Sequence, residues 1–318
     1  MRTFDAEELA NLLSWPELID EIAAILHEPT AESPDRHVHT VSAPGAGGED
    51  ILLLKPAWLP GDLLGIKAVT FFESNAARGL PTINAAYLLF DGSTGVPVAV
   101  MDGEELGSRR TTAASALAAR HLARADAKRL LVVGTGQLSP HAVAAHCTVR
   151  DYDTVEIWGR NRDRAQGVVE MVMASGIAAV RCEDLDASVA EADVISCVTS
   201  ATEPLIKGAL LGPGTHLDLV GSFKPDMRES DDVCVRRADL IVLDTYAGAV
   251  LAGDISQPRD AGIIADTDLT VDLQALVSGA HPGRSGGDTS SITLFKSAGF
   301  ALEDLAAARL AYNRSQIR

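Results

Sequence analysis

In a chain of 318 residues, a formal charge of −17 argues against a nucleic-acid or anionic-membrane partner, since both need a basic face. Its 47% hydrophobic content excludes a disordered chain, and its length allows about two domains with cores of their own. An anionic small molecule is not excluded, because a few local cations outweigh distant surface charge.

The opening MRTFDAEELANLLSWPELIDEIAAIL is acidic, with apolar residues at helical spacing, and lacks the basic segment and continuous apolar run of a secretion signal. No run of ~18 apolar residues exists to span a bilayer, so a cytoplasmic protein is expected. Between residues 36 and 103 come short strand-like runs, ILLLKP, LGIKAVTFF, NAAYLLFD and VPVAVMDG, the last two separated by the hairpin punctuation GSTG. They predict an antiparallel sheet. Lys67 lies inside an apolar run, where an ammonium needs either solvent or a negative partner. The Ala-rich RRTTAASALAARHLAR predicts a helix opening after Gly107 and Ser108.

From 129 to 245 the rhythm becomes strand, helix, strand: RLLVVG, TVEIW, AAVRC, DVISCVTS, THLDLVGS and DLIVLDT are apolar almost throughout. Strands buried on both faces with helical crossovers indicate a doubly wound parallel sheet. The tail SITLFKSAGFALEDLAAARLAY reads as one long amphipathic helix returning to the first domain. The fold class is therefore α/β: a Rossmann-type parallel-sheet domain over 110–289, inserted into an antiparallel-sheet α+β domain formed by 1–109 and 290–318. Cys147, Cys182, Cys197 and Cys234 contain no C-x-x-C pair, and three of them lie within or beside apolar runs, so they read as small core residues rather than metal ligands or disulfides.

In RLLVVGTGQLSPHAVAAH, Gly134, Thr135 and Gly136 turn from strand to helix, and Ser139 takes the third small position of a G-x-G-x-x-G pattern. Such a turn brings backbone amides to a dinucleotide pyrophosphate at the helix N-terminus. A tight strand–helix turn without a ligand is the alternative, which the strand before and the helix after disfavour. The next strand ends in Gly159, Arg160, Asn161 and Arg162, with no carboxylate for a ribose diol. Two arginines there favour a 2′-phosphate, so NADP is expected over NAD, unless they are only a solvated helix start.

Several stretches in order, GLPTINAAYLLFDGSTGVPVAVMDG, RRTTAASALAARHLAR, VVGTGQLSP, VGSFKPDMRE and ITLFKSAGFALEDLAAARLAY, make the chain similar to the ornithine cyclodeaminase/mu-crystallin family over nearly its whole length. The resemblance implies homodimers formed through the antiparallel domain, and hydride exchange at the α-carbon of an amino or imino acid. It implies a carboxylate site made by Lys67 and Arg110, with Arg36 matched less closely, and so a substrate carboxylate as the partner of Lys67. By position it sets Thr82, Arg110, Gln137, Leu138, Thr199 and the Val220, Gly221, Ser222, Phe223 turn beside the cofactor. Ser291 and Ile292 would close the nicotinamide side of the pocket, Ile292 toward the substrate.

Cyclodeaminases of that family carry an aspartate where this chain has Phe223, which cannot accept a proton. The reading is accordingly an NAD(P)H-dependent reductase of a small 2-imino acid, such as Δ1-pyrroline-2-carboxylate or iminosuccinate, giving an L-amino acid. A cyclodeaminase with bound NAD and a non-catalytic ligand-binding protein are the alternatives. Lys67 leads Glu73, Asp226 and water as the proton source. His37 and His39 share a strand face, without a third metal ligand; a sheet-surface role is favoured for them over contact with a second substrate carboxylate. Asp254 and Arg284 read as loop organisers.

Overall fold

Residues 1–42 and 50–317 are described by a computed structural model of the chain. The β-branched and aromatic runs of the first part form strands β1 (Arg2–Phe4), β2 (His37–Thr40), β3 (Ile51–Leu59), β4 (Leu63–Phe71), β5 (Ile83–Asp91) and β6 (Pro97–Asp102). They make one sheet in the order β1-β6-β5-β4-β3-β2, antiparallel except where β1 runs parallel to β6. Alternation along the strands separates two faces. On one face Lys55, Lys67, Tyr87 and Met101 form a row, flanked by Ala57, Gly65, Leu89 and Ala99, all of them buried. The other face carries Leu54, Pro56, Trp58, Leu64, Ile66, Leu88 and Val100, each only half-buried.

The Ala301–Ile317 helix packs on β3 and β4 and on the Trp15–His27 helix. The tail is therefore not one helix. Its β-branched and aromatic beginning, Thr293–Lys296, is a strand of the other unit, and Ala298 and Gly299 separate it from the helix. Nor is the helix amphipathic: it is buried at every position from Ala301 to Ala308, including Glu303 and Asp304. Alanine side chains are small enough for neighbours to approach from several sides.

The second unit holds eight parallel strands: β7 (Arg129–Val133), β8 (Thr154–Trp158), β9 (Val180–Arg181), β10 (Val194–Cys197), β11 (His216–Leu219), β12 (Leu240–Leu243), β13 (Val271–Asp272) and β14 (Thr293–Lys296). Their order is β13-β12-β14-β11-β10-β7-β8-β9. Leu131, Val133, Ile195 and Leu217 join one apolar core, while Leu130, Val132, Val155 and Val194 join another on the opposite face. Helices cover both faces, which is why these strands are mostly apolar, with His216, Asp218 and Lys296 buried among the exceptions. The strand order reverses between β7 and β10, making the crevice typical of doubly wound sheets.

The compact units are 1–110 with 300–318, and 111–299. The expected return at 290 moves to 300 because β14 is an interior strand of the parallel sheet; Arg318 lies outside the described residues. The joining helix is Gly103–Leu122 and starts before Gly107, because the Asp102 carboxylate accepts from the amides of Glu104 and Glu105 at 3.0 and 2.8 Å. Among the described residues no helix is long and apolar enough to cross a membrane.

Candidate active site

Lys67 faces away from solvent, onto the Ala301–Ile317 helix, and its Nζ lies 3.1 Å from Asp304 Oδ1. The chain itself thus supplies a partner, where a substrate carboxylate was expected. Lys55, directly opposite Lys67 across the ladder, puts its Nζ 3.0 Å from Asp304 Oδ2. Arg110 closes the group, with Nε 2.7 Å from Asp304 Oδ1 and Nη1 2.7 Å from Glu303 Oε2. Three cations, all less than a tenth exposed, therefore meet two carboxylates that are wholly buried. Burial would raise the Asp304 carboxyl, but Arg110, Lys55 and Lys67 overturn this and hold it below the usual carboxylate range. Burial drives Lys67 the other way, down to about 7, with Asp304 opposing and Arg110 and Lys55 assisting.

Two glycines make room for this group. A Cβ on Gly107 would sit 2.5 Å from Lys67 Nζ, and one on Gly65 would sit 1.8 Å from the Tyr87 hydroxyl. Arg109, next to Arg110, serves a different purpose: it pairs with Glu105, donates to the Leu13 carbonyl at 2.9 Å and lies over the Trp15 ring.

Arg36 immediately precedes the edge strand β2. His37 pairs with Leu54, while Glu32 bridges to Trp58 one residue out of that register, so the pairing slips across the segment that holds Arg36. Arg36 is half-buried there. His37 and His39 pair with Leu54 and Leu52, on the opposite face and exposed, which removes them from contact with a ligand held at Lys67. Among the described residues no group of three or more His, Cys, Asp or Glu side chains could hold a metal ion. Thr82 is half-buried, its carbonyl accepting from the Phe72 amide at 2.8 Å, and Glu73 is an exposed residue opening a short turn of helix.

In the second unit the cofactor candidates gather by strand order. Gly134–Leu138, Gly159–Arg162, Thr199 and Val220–Phe223 follow the C-terminal ends of β7, β8, β10 and β11, which are neighbours in the sheet. Gly134 has φ 139°, and a Cβ there would meet the Val198 carbonyl at 2.7 Å; a Cβ on Gly136 would meet nothing within 4 Å. The first glycine lets the turn close and the second leaves its outer side open. Gln137 makes no side-chain cap on the Leu138–Val149 helix, and a helix N-terminus without a side-chain cap favours an anion. Ser139 is fully buried and donates to the Gly134 carbonyl at 2.9 Å, which secures the helix to the strand. This cradle fits a dinucleotide pyrophosphate. After β8, Asn161 is the cap of the next helix, accepting from the Arg164 amide at 3.0 Å, while Arg160 and Arg162 are exposed.

The next two turns share a support that the sequence reading overlooked. Glu229 is fully buried, and its Oε1 accepts from the Thr199 amide and hydroxyl at 2.7 and 2.9 Å. Its Oε2 accepts from the amides of Gly221 and Ser222 at 2.8 and 3.2 Å. Burial pushes the Glu229 carboxyl up to about 8, with Lys296 pulling it back and Asp254 adding to the rise. Asp254 accepts from the amides of Glu229 and Ser230 and lies 3.4 Å from Lys296 Nζ. Ser222 is buried and its hydroxyl has no hydrogen-bond partner among the described residues, an orphan within the turn after β11. Phe223 is exposed, with Lys224 over its ring.

Ser291 and Ile292 require correction. They precede β14, which runs parallel to β11, and so lie at the end of the sheet opposite the turns after β7, β8, β10 and β11. Their backbone is tied by Arg284, which donates to the Ser291 carbonyl at 2.8 Å, and by Asp239, which accepts from the Ile292 amide at 2.8 Å. Reading SITLFK as the start of a helix concealed this, because only a strand has ends on opposite edges of a sheet.

The ornithine cyclodeaminase/mu-crystallin family model matches residues 4–317. Delta(1)-pyrroline-2-carboxylate reductase of Paracoccus denitrificans (strain Pd 1222) is 36% identical over 298 residues, which are 92% of this chain and 90% of that protein. The solved structure of Thermococcus litoralis Delta(1)-pyrroline-2-carboxylate reductase in complex with NADH and L-proline matches with a TM-score of 0.91 at 31% identity, covering 100% of this chain and 98% of the other. That of the iminosuccinate reductase of Paracoccus denitrificans in complex with NAD+ matches with a TM-score of 0.87 at 26% identity, covering 100% and 97%. With a match that leaves out only the first three residues and the last, the chain belongs to the ornithine cyclodeaminase/mu-crystallin family.

Proposed function

We propose that this protein is an NAD(P)H-dependent reductase that converts a small 2-imino acid, Δ1-pyrroline-2-carboxylate or iminosuccinate, into an L-amino acid. The observation that carries the reading is an imbalance of buried charge: Lys55, Lys67 and Arg110 against Glu303 and Asp304. Keeping all three cations charged out of water costs several kcal/mol, a cost that burial expresses by lowering Lys67 to about 7, and a ligand carboxylate relieves it. The three relatives compared above are named as reductases of such compounds, and one is held with L-proline.

Reduction of the C=N bond adds hydride to carbon and a proton to nitrogen; when bound, the nicotinamide dinucleotide supplies the hydride. Arg110 and Arg36 hold the ligand carboxylate, and Lys67 orients the imine end and gives it the proton. Gly134 to Leu138 hold the pyrophosphate, Thr199 and Val220 to Phe223 line the cofactor side, and Arg160 and Arg162 receive a 2′-phosphate. The half-buried apolar sheet face around Trp58, Ile66 and Leu88 supports a homodimer formed through the antiparallel unit. Four free cysteines, three of them buried, support the cytoplasm as its compartment.

The test is a screen of imino acids generated in situ with NADH and NADPH. Oxidation of the dinucleotide with formation of L-proline or L-aspartate is expected. If no imino acid causes oxidation, the reductase reading fails and ligand binding without turnover takes its place. Ornithine with catalytic NAD should release no ammonia, because Phe223 offers no proton acceptor.

A further inference from the structure

Two lysines opposite each other on neighbouring strands, both buried, are an arrangement that sheets avoid, since like charges at directly paired positions repel. Here they are bridged by a single carboxylate. Asp304 Oδ2 is 3.0 Å from Lys55, while Oδ1 is shared by Lys67 at 3.1 Å and Arg110 at 2.7 Å. Lys67 alone with Asp304 would be a closed ion pair that gives up its proton reluctantly. We propose that Lys55 is a positioning residue for catalysis, controlling the protonation of Lys67 by competing with it for Asp304. The proposal rests on the imine-reductase reading for its purpose, though not for its test.

The groups facing Lys67 define the balance. Lys55 comes from β3, Tyr87 from β5, Arg110 from the Gly103–Leu122 helix, and Glu303 and Asp304 from the Ala301–Ile317 helix. Tyr87 stays neutral, because burial first and Asp304 second push its hydroxyl well above its ordinary range. Glu303 is engaged by Arg110. Burial is the main cause of the fall of Lys67 to about 7; on top of it Arg110 and Lys55 are the positive charges that loosen the proton, and Asp304 is the carboxylate that tightens it. In the reaction the Lys67 ammonium passes one proton to the imine nitrogen as hydride adds to carbon, is left as a neutral amine, and recovers a proton from water. A donor that releases its proton near neutrality performs this exchange better than one held in a closed pair.

The chain has only six lysines, at 55, 67, 128, 207, 224 and 296, so lysine labelled with carbon-13 at Cε yields few enough resonances to assign by substitution. Titration of the ligand-free protein is expected to show Lys67 changing state near pH 7. In Lys55→Met its midpoint should rise by at least one pH unit, a tenfold change in proton affinity, while Lys55→Arg, which keeps the charge, should leave it within half a unit. Where an imino acid is turned over, the alkaline limb of kcat/KM should shift with the resonance. A Lys67 midpoint unmoved in Lys55→Met, or moved equally in both variants, overturns the proposal. The titration needs no turnover, so a failed substrate screen would sink the reductase reading without touching this result.

Discussion

At Lys67 the charge count decides what a substitution does. Lys67→Met removes the excess cation and leaves Lys55 and Arg110 matched by Glu303 and Asp304, so stability should hold while kcat/KM for the imino acid falls by about 100-fold or more. Asp304→Asn does the reverse: three cations would face one carboxylate, at a cost of about 3–5 kcal/mol, read as a lowered denaturation midpoint. Equal destabilisation by the two changes would contradict the count. Arg160 and Arg162 are exposed, and the Asn161 side chain beside them is already used as a helix cap. Replacing either arginine by Ser should raise KM for NADPH by about tenfold, the value of one charge-assisted contact, and leave KM for NADH unchanged. A protein that already prefers NADH would refute the 2′-phosphate reading.

Among the elements, the Gly103–Leu122 helix shows how a local rule yields to a tertiary need. Gly107 costs this helix about 1 kcal/mol relative to Ala, and read alone it suggests a helix start. The fold keeps it inside the helix because the Lys67 ammonium occupies the place of its side chain. Gly107→Ala should therefore cost little stability, since a lysine tip swings aside, yet lower kcat/KM by tenfold or more. Unaltered kinetics would show that Lys67 does not act from this position. Similar reasoning separates what was legible in the chain from what was not. Lys67 stood out because an ammonium interrupts an apolar strand, and Gly134 and Gly136 because their spacing follows such a strand. Asp304 and Glu303 did not stand out, since acidic residues in an alanine-rich helix normally mark its wet side.

Across the whole molecule, pH acts also through buried groups of the parallel-sheet unit. His216 is fully buried in the parallel-sheet unit, its Nδ1 3.0 Å from Thr293 Oγ1. Burial takes it from 6.5 down to about 3, despite the opposing pull of Asp218. Folded protein then binds fewer protons than unfolded protein between these values, so stability is full above about pH 6.5 and is lost as the pH falls toward 3. Melting temperatures of the protein should drop steadily from pH 6.5 to 4, and His216→Gln should flatten that slope; an unchanged slope would assign the acid sensitivity elsewhere.

The order of the main elements before the tail, the change from alternating to mostly apolar strands, and the glycine turn after β7 were readable directly, because period and turn chemistry are local properties of a chain. Which charges meet was not. Lys55 and Lys67 become neighbours through strand register, and Asp304 reaches them from 237 residues beyond Lys67. The end of the sheet on which Ser291 and Ile292 lie likewise depends on the direction of β14. Pairings between distant segments are chosen by packing against the rest of the fold, so the balance of charge at this site exists only once the chain has folded.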